Sequence, residues 1–161
     1  MHWLKALFSW LAPFTAPEGV PLHSGFCSSS TCVIDSKKVV VIKIRGIANH
    51  IYDTLSARLV KELTDEQPAG LIVDLREVQY SYGDDMGRVL CPAGEYDVPH
   101  CPMVIITSEL NRDGLTSLVR DEWFSKPVLW LVEREEEAWA LMQSKLRHED
   151  RKRKRKAPSA R

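Results

Sequence analysis

The sequence predicts an α/β fold in which a β-sheet is built through β-α-β crossovers. Short apolar segments alternate with amphipathic segments of helical periodicity, in the order β-β-α-β-α-β-α-β-α. The chain of 161 residues is long enough for one domain with a buried core. Its apolar fraction of 44% and charged fraction of 27% are typical of a globular protein.

The first two strands are predicted to form a hairpin. The segments TCVID and KVVVIKIRG are separated by a short polar turn, and regular structure is expected to begin near Thr31. The run from Val39 to Ile42 consists of β-branched residues, which favours a buried strand. Gly46 is expected to end this strand.

The middle of the chain is predicted to contain a helix and a second buried strand. An apolar stripe runs through IYDTLSARLVKELTDEQ at helical spacing, and Pro68 ends the segment. The segment GLIVDL follows as a continuous apolar strand. We interpret DDMGRVL as the beginning of a short helix, because Asp84 and Asp85 would suit its positive N-terminal end.

The last part of the folded region is predicted to add two strands and two helices. PMVIITS and PVLWLV are apolar enough for central strands, and LTSLVRDEWF has the pattern of a helix. Residues 133–146 are predicted to form the last helix, because their apolar residues share one side: Ala138, Leu141, Met142 and Leu146.

Composition divides the chain into three regions. Residues 1–30 are interpreted as an N-terminal amphipathic segment and linker, 31–146 as the folded domain and 147–161 as a basic disordered tail. The last eleven residues contain seven Lys or Arg and no acid, so the remainder has 15 basic and 22 acidic residues, a formal charge of −7. The N-terminal segment is too short to span a bilayer, which leaves packing on the domain, binding at a membrane interface or a signal peptide.

Sequence signatures of catalysis and of cofactor binding are absent. No P-loop, GxGxxG or HExxH motif occurs, and the spacing of the four cysteines matches no zinc pattern. We therefore predict no catalytic residue, no metal and no cofactor. We expect reduced thiols and a cytoplasmic location, since a chain of this size does not need disulfides.

The order of elements, together with three segments, resembles the STAS domain family, which includes the anti-sigma-factor antagonists. The segments are VVVIKIRG followed by a helix and GLIVDL, then DLREVQYSYGDDMGRVL, then PVLWLVEREEEAWALM. The resemblance covers about residues 31–146. It implies a mixed β-sheet with helices packed mainly on one face. It also implies a non-enzymatic regulatory role through a protein partner, such as a regulatory kinase or an anti-sigma-like protein.

The resemblance places a partner-binding and regulatory loop at one segment: Tyr80, Ser81, Tyr82, Gly83, Asp84, Asp85 and Met86. Members of the family carry a phosphorylatable Ser or Thr there, and Gly83 occupies that position in this sequence. The switch is therefore absent, displaced to Ser81, or replaced by the fixed charge of the two aspartates. Helix capping by these aspartates is favoured over a mimic of phosphate.

The same segment also resembles a motif of the enoyl-CoA hydratase (crotonase) family. YSYGDDM is similar to that family's FSAGADL, where the backbone near the glycine helps to form an oxyanion hole. This resemblance implies a degenerate acyl-thioester-binding protein, with Gly83 in the site. The chain is shorter than that family's usual domain and NRDGL replaces its glycine-rich segment, so this interpretation is the alternative.

The basic tail predicts weak contact with an anionic membrane or with nucleic acid. It contains no aromatic residue for base stacking, so such contact would not depend on base sequence. A solvated tail explains the same composition. The predicted location is therefore cytoplasmic, with a peripheral position at the membrane left open.

Overall fold

The computed structural model describes residues 26–80, 86, 90, 101–120 and 129–156. Within these residues five strands form one sheet: β1 (Phe26–Ile34), β2 (Lys37–Ile47), β3 (Gly70–Gln79), β4 (Met103–Ile106) and β5 (Leu129–Val132). Three helices accompany them: α1 (Ala48–Asp65), α2 (Arg112–Arg120) and α3 (Glu135–Lys156). The strands lie in the order β1-β2-β3-β4-β5; β1 is antiparallel to β2 and all other pairs are parallel. The sheet is therefore mixed, as predicted.

The predicted hairpin is present, and its strands are longer than the sequence indicated. Asp35 and Ser36 connect β1 to β2 and have φ angles of 47° and 64°. Two successive residues with positive φ match the twist of paired strands. The strand begins at Phe26, not near Thr31, because Phe26 already pairs with Arg45 of β2. The serine-rich start of β1 has no apolar pattern, so only this pairing reveals it as a strand.

Alternate side chains of β2, β3 and β4 point to two separate cores, as expected for strands buried on both faces. One core packs against α1 and α2, and its largest buried residues include Ile42, Leu55, Leu59, Leu71 and Leu115. The opposite core packs against α3: Val39, Val41, Ile72, Val104, Ile106, Ala138, Met142 and Leu146. Two of the three described helices thus share one face, and the third covers the other.

The sequence predicted a disordered tail from residue 147. This prediction is wrong for residues 147–156, because α3 continues to Lys156. Two contacts with the hairpin explain this extension. Arg147 Nε lies 2.8 Å from Asp35 Oδ2, and Lys37 forms an ion pair with Asp150. Arg and Lys also have high helix propensity, so the basic sequence does not break the helix. Residues 157–161 and 1–25, which include the N-terminal amphipathic segment, lie outside the described residues.

The helix α3 packs closely on Gly70, the first residue of β3. A Cβ at this position would overlap Met142 Sδ, and it would lie 3.6 Å from Leu146 Cδ2. The absence of a side chain therefore permits this packing distance. None of the helices in the part of the chain that the structure describes is both long and apolar enough to cross a membrane.

Candidate functional site

The end of β3 is the first feature of the candidate site. β3 pairs with β4 only from Leu71 to Asp74, whereas it pairs with β2 as far as Gln79. Beyond Asp74, no strand among the described residues pairs with β3 on the β4 side. The loop after β4, residues 107–111, runs along this part of β3 and replaces the missing strand.

Two side chains of that loop hold the end of β3. The Asn111 side-chain nitrogen donates to Leu75 O at 2.5 Å and to Val78 O at 2.8 Å. Ser108 Oγ donates to Arg76 O at 2.7 Å. Asn111 is only 1% exposed and both Leu75 and Val78 are fully buried, so Asn111 supplies donors to carbonyl groups of buried residues. The loop is thus a fixed part of the structure.

An irregular register in β3 accompanies these contacts. Lys43 of β2 lies opposite Asp74, but Arg45 lies opposite Glu77, so β3 contains one extra residue there. This is the arrangement of a β-bulge, which commonly re-aims side chains near functional sites. It allows Leu75 and Val78 to lie in the same core although they are three positions apart.

The bulge directs Tyr80 into the core at the point where the predicted regulatory loop begins. Tyr80 is 3% exposed, and its main-chain nitrogen donates to Leu110 O at 3.2 Å. At the other end of the loop Met86 is fully buried. Both side chains therefore anchor the loop from inside, and neither is placed for contact with a partner.

The residues between these anchors lie outside the described residues: Ser81, Tyr82, Gly83, Asp84 and Asp85. Met86 and Leu90 are helical and buried, which places one face of the predicted short helix in the core. The partner-binding part of the hypothesis therefore concerns residues 81–85 and the described surface beside them.

That described surface contains an exposed leucine among acidic and polar residues. Leu110 is 55% exposed, although its backbone is held by Tyr80 and its neighbours Ser108 and Asn111 are fixed. Exposed residues at the same end of the sheet complete what we call the β3-end surface: Glu77, Gln79, Glu109, Leu110 and Asp113. It combines one apolar side chain with three carboxylates.

On the face of the sheet that α3 covers, an ion-pair cluster joins the bulge to the start of α3. The Arg76 guanidinium donates to both carboxylate oxygens of Asp74, at 2.9 and 2.6 Å, and lies 3.4 Å from Glu135 Oε2. The hydrogen bonds with Asp74 raise the pKa of Arg76. Because its oxygens are occupied in this way, Asp74 is poorly placed to remove a proton from a substrate.

The described thiols are protonated at neutral pH. Burial raises the pKa of Cys32 and of Cys101 to about 11, and burial also raises that of Cys27. A thiol reacts as its thiolate, so these side chains are weak nucleophiles. These three are free, whereas Cys91 lies outside the described part. Among the described residues, no group of three or more His, Cys, Asp or Glu is placed to hold a metal ion.

Sequence reasoning missed Ser108, Leu110 and Asn111. In the sequence SELNRDG, these residues have the composition of an ordinary turn before a helix. The available signal was the polar Asn111 directly before α2, but a cap would direct its side chain toward the helix. Its Oδ1 instead accepts from Ser108 N at 3.1 Å, and its amide binds β3. Asn111 can bind β3 in this way because β4 is short and pairs with β3 only as far as Asp74.

Comparison with known proteins supports the predicted fold. No protein-family model matches the chain, and no curated protein sequence matches it. An anti-sigma factor antagonist from Mycobacterium paratuberculosis aligns with a TM-score of 0.50 and 19% identity, over 72% of this chain and 95% of that one. At this identity, the likeness concerns the fold alone.

Two further solved structures align with lower scores. A Ser-to-Glu variant of RsbS from Moorella thermoacetica has a TM-score of 0.49 and 15% identity, over 73% of this chain and 97% of that one. The anti-sigma factor antagonist SpoIIAA in its unphosphorylated form has a TM-score of 0.46 and 14% identity, over 73% and 98%. The chain has the mixed five-stranded STAS fold, and the alternative resemblance to enoyl-CoA hydratases is not favoured.

Proposed function

We propose that this protein is a non-enzymatic regulatory module that binds a protein partner through the β3-end surface and residues 81–85. One observation carries the proposal. The Leu110 carbonyl accepts from the Tyr80 nitrogen at 3.2 Å, so an exposed leucine lies directly beside the first residue of the candidate loop.

The fixed position of Leu110 favours binding. Ordering a mobile loop opposes association, and the contacts of Ser108 and Asn111 with β3 remove most of that cost in advance. An apolar anchor with a polar surround is also the usual composition of an interface centre. The exposed carboxylates of Glu109 and Asp113 are close to it in the chain, and that of Glu77 lies at the same end of the sheet and pairs with Arg45. The proposed partner therefore presents an apolar pocket bordered by Lys or Arg.

The chemistry of the described side chains supports a role other than catalysis. Asp74 is engaged by Arg76, and the thiols of Cys32 and Cys101 hold their protons at neutral pH. The degenerate acyl-thioester-binding alternative would require an oxyanion hole at Gly83, and the fold comparison does not favour that family. A regulatory protein that acts by binding a partner needs neither a reactive catalytic side chain nor an oxyanion hole.

We further propose that binding is constitutive and takes place in the cytoplasm. Gly83 stands where a phosphorylatable hydroxyl would be expected from the fold family, and Asp84 and Asp85 follow it. A phosphate on Ser81 would meet these two negative charges at short range, which disfavours displacement of the switch. By analogy with the anti-sigma factor antagonists of similar fold, the partner is an anti-sigma-like protein or a regulatory kinase.

The central test is affinity capture from cells that express the protein, with two matched variants. Leu110→Asp places a charge in the proposed interface, whereas Val33→Asp changes the other large exposed apolar residue among those described, which is 65% exposed on β1. We expect the partner to be lost with Leu110→Asp and retained with Val33→Asp. Equal capture by both variants would remove the β3-end surface from the proposal.

The regulatory part is tested separately on Ser81. We expect mass spectrometry of the protein from those cells to show no phosphate at this position. We also expect Ser81→Ala to capture the partner as the unchanged protein does. Phosphate at Ser81, with partner binding altered by Ser81→Asp, would replace constitutive binding by a displaced switch.

A further inference from the structure

The end of α3 carries a concentrated positive charge that the proposed function does not use. Residues 151–156 have the sequence RKRKRK, and the helix includes all of them. Arg151 and Lys152 are exposed. A run of this composition in isolation would be expected to lack structure, because like charges repel along a helix.

The hairpin holds the helix up to the start of this run. Arg147 binds Asp35, and Lys37 binds both Asp150 and, at 3.2 Å, the carbonyl oxygen of Leu146. These contacts neutralise Asp150, and Glu149 lies 3.5 Å from Lys152. The helix therefore leaves the domain in a fixed direction, and residues 151–156 extend it beyond the last hairpin contact that the structure describes.

The charge spacing of this helical end is close to that of a nucleic-acid duplex. A helix rises about 1.5 Å per residue, so the six basic residues place one positive charge per ~1.5 Å of axis. Double-stranded DNA carries one negative charge per ~1.7 Å of axis. Binding to this helical end would release counterions from the duplex. It would also reduce the repulsion between the basic side chains of the helix.

We propose that the helical end formed by residues 151–156 binds the phosphate backbone of double-stranded nucleic acid without base specificity. Residues 147–156 contain no apolar side chain, so they lack the apolar face with which a helix enters a membrane interface. They also lack Phe, Tyr and Trp, on which single-stranded bases stack. Residues 1–150, with their formal charge of −7, are repelled by phosphate and direct contact to this end.

The test measures binding of the full chain to a fluorescent DNA duplex of about 20 base pairs by anisotropy at several salt concentrations. With six charges engaged, the slope of log K against log salt is expected to be about −5, and affinity should fall about 10³-fold between 50 and 200 mM salt. Replacement of all six residues by Gln should abolish binding, while the unfolding transition stays that of the unchanged protein.

Two double variants that each remove two positive charges distinguish binding at residues 151–156 from a general effect of net charge. Arg151→Gln with Lys152→Gln removes two positive charges from the helical end, and Lys61→Gln with Arg134→Gln removes two exposed charges elsewhere. We expect the first pair to reduce the slope by about 2 and the second pair to leave it unchanged. Equal effects of the two pairs would overturn the proposal.

A competition experiment decides between nucleic acid and a lipid surface. Vesicles containing phosphatidylserine are added to the protein–duplex complex at an equal concentration of phosphate groups. Retention of the duplex supports the proposal, because a helix without an apolar face gains only electrostatic attraction from lipid. Displacement of the duplex by the vesicles would reassign the helical end to anionic membranes and overturn the assignment to nucleic acid.

Discussion

The side-chain amide of Asn111 donates a hydrogen bond to the main-chain oxygen of Val78 at 2.8 Å. The same nitrogen reaches Leu75 O, on the side of β3 where β4 has already ended. One asparagine therefore supplies the donors that a neighbouring strand would otherwise provide. The bulged end of β3, and with it the start of the candidate loop, depends on this contact.

We expect Asn111→Ala to lower the free energy of unfolding by about 2–4 kcal/mol, because two buried carbonyl groups lose their donor. Urea denaturation followed by circular dichroism gives this value. Ser108→Ala is the graded comparison: Ser108 is partly buried and serves one carbonyl, so about 1 kcal/mol is expected. A smaller loss for Asn111→Ala than for Ser108→Ala would contradict the role of Asn111.

The close packing of α3 on Gly70 predicts that substitutions of Gly70 and Met142 are energetically coupled. Gly70→Ala should destabilise the protein by about 1–3 kcal/mol, because the new Cβ displaces Met142 Sδ. In a Met142→Ala background the same change should cost close to nothing, since the methionine is gone. A double-mutant cycle measured by chemical denaturation tests this. Additive costs would show that the backbone, and not Met142, resists the change.

The hairpin turn contains backbone strain that glycine would remove. Ser36 has a φ of 64°, in a region that disfavours side chains by about 1–2 kcal/mol. Ser36→Gly should raise the free energy of unfolding by about 0.5–1 kcal/mol after the entropy cost of glycine is included. Ser30→Gly, in the extended part of β1, should lower it by a similar amount. Thermal unfolding of the two variants gives the comparison, and equal signs would be inconsistent with turn strain.

The half-buried thiol of Cys32 predicts a specific pH dependence. Its pKa of about 11, compared with 9.0 without burial, leaves about 0.1% thiolate at pH 8. Its rate of alkylation by iodoacetamide, measured by peptide mass spectrometry, should rise about tenfold per pH unit to near pH 11. Denatured protein is the control, and a plateau below pH 9 in the folded protein would refute the raised pKa.

The same shift has a consequence for stability. Since the folded pKa of Cys32 lies above the unfolded one, its contribution is fully present below about pH 9 and is lost as the pH rises toward 11. The thiol also donates to Val39 O at 3.3 Å, a bond that ionisation would remove. Cys32→Ala should therefore make the stability curve flatter between pH 9 and 11 in denaturant titrations.

The sequence was sufficient for the sheet and its helices because their signals are local. The β-branched run from Val39 to Ile42 and the helical stripe of α1 each determine their own element. The extension of α3 past Leu146 was not predictable from apolar periodicity, which stops there. It depends on Asp35 and Lys37 of the hairpin, which are more than a hundred positions away in the chain.

The candidate site was only partly predictable for the same reason. The segment after β3 was identified from its composition and its resemblance, and the structure shows that Tyr80 and Met86 are its buried ends. Leu110 and Asn111 belong to the site because β4 ends four residues into its pairing with β3, a property of the register. No local pattern in SELNRDG reports where a neighbouring strand stops.

The length of α3 sets the separation between the two ends of the molecule. Its 22 residues span roughly 33 Å, from Glu135, which contacts Arg76 at the end of β3, to Lys156. A protein bound at the β3-end surface and a polyanion bound at residues 151–156 would therefore not compete for the same surface. The domain would then act as a rigid tether that raises the local concentration of one ligand near the other.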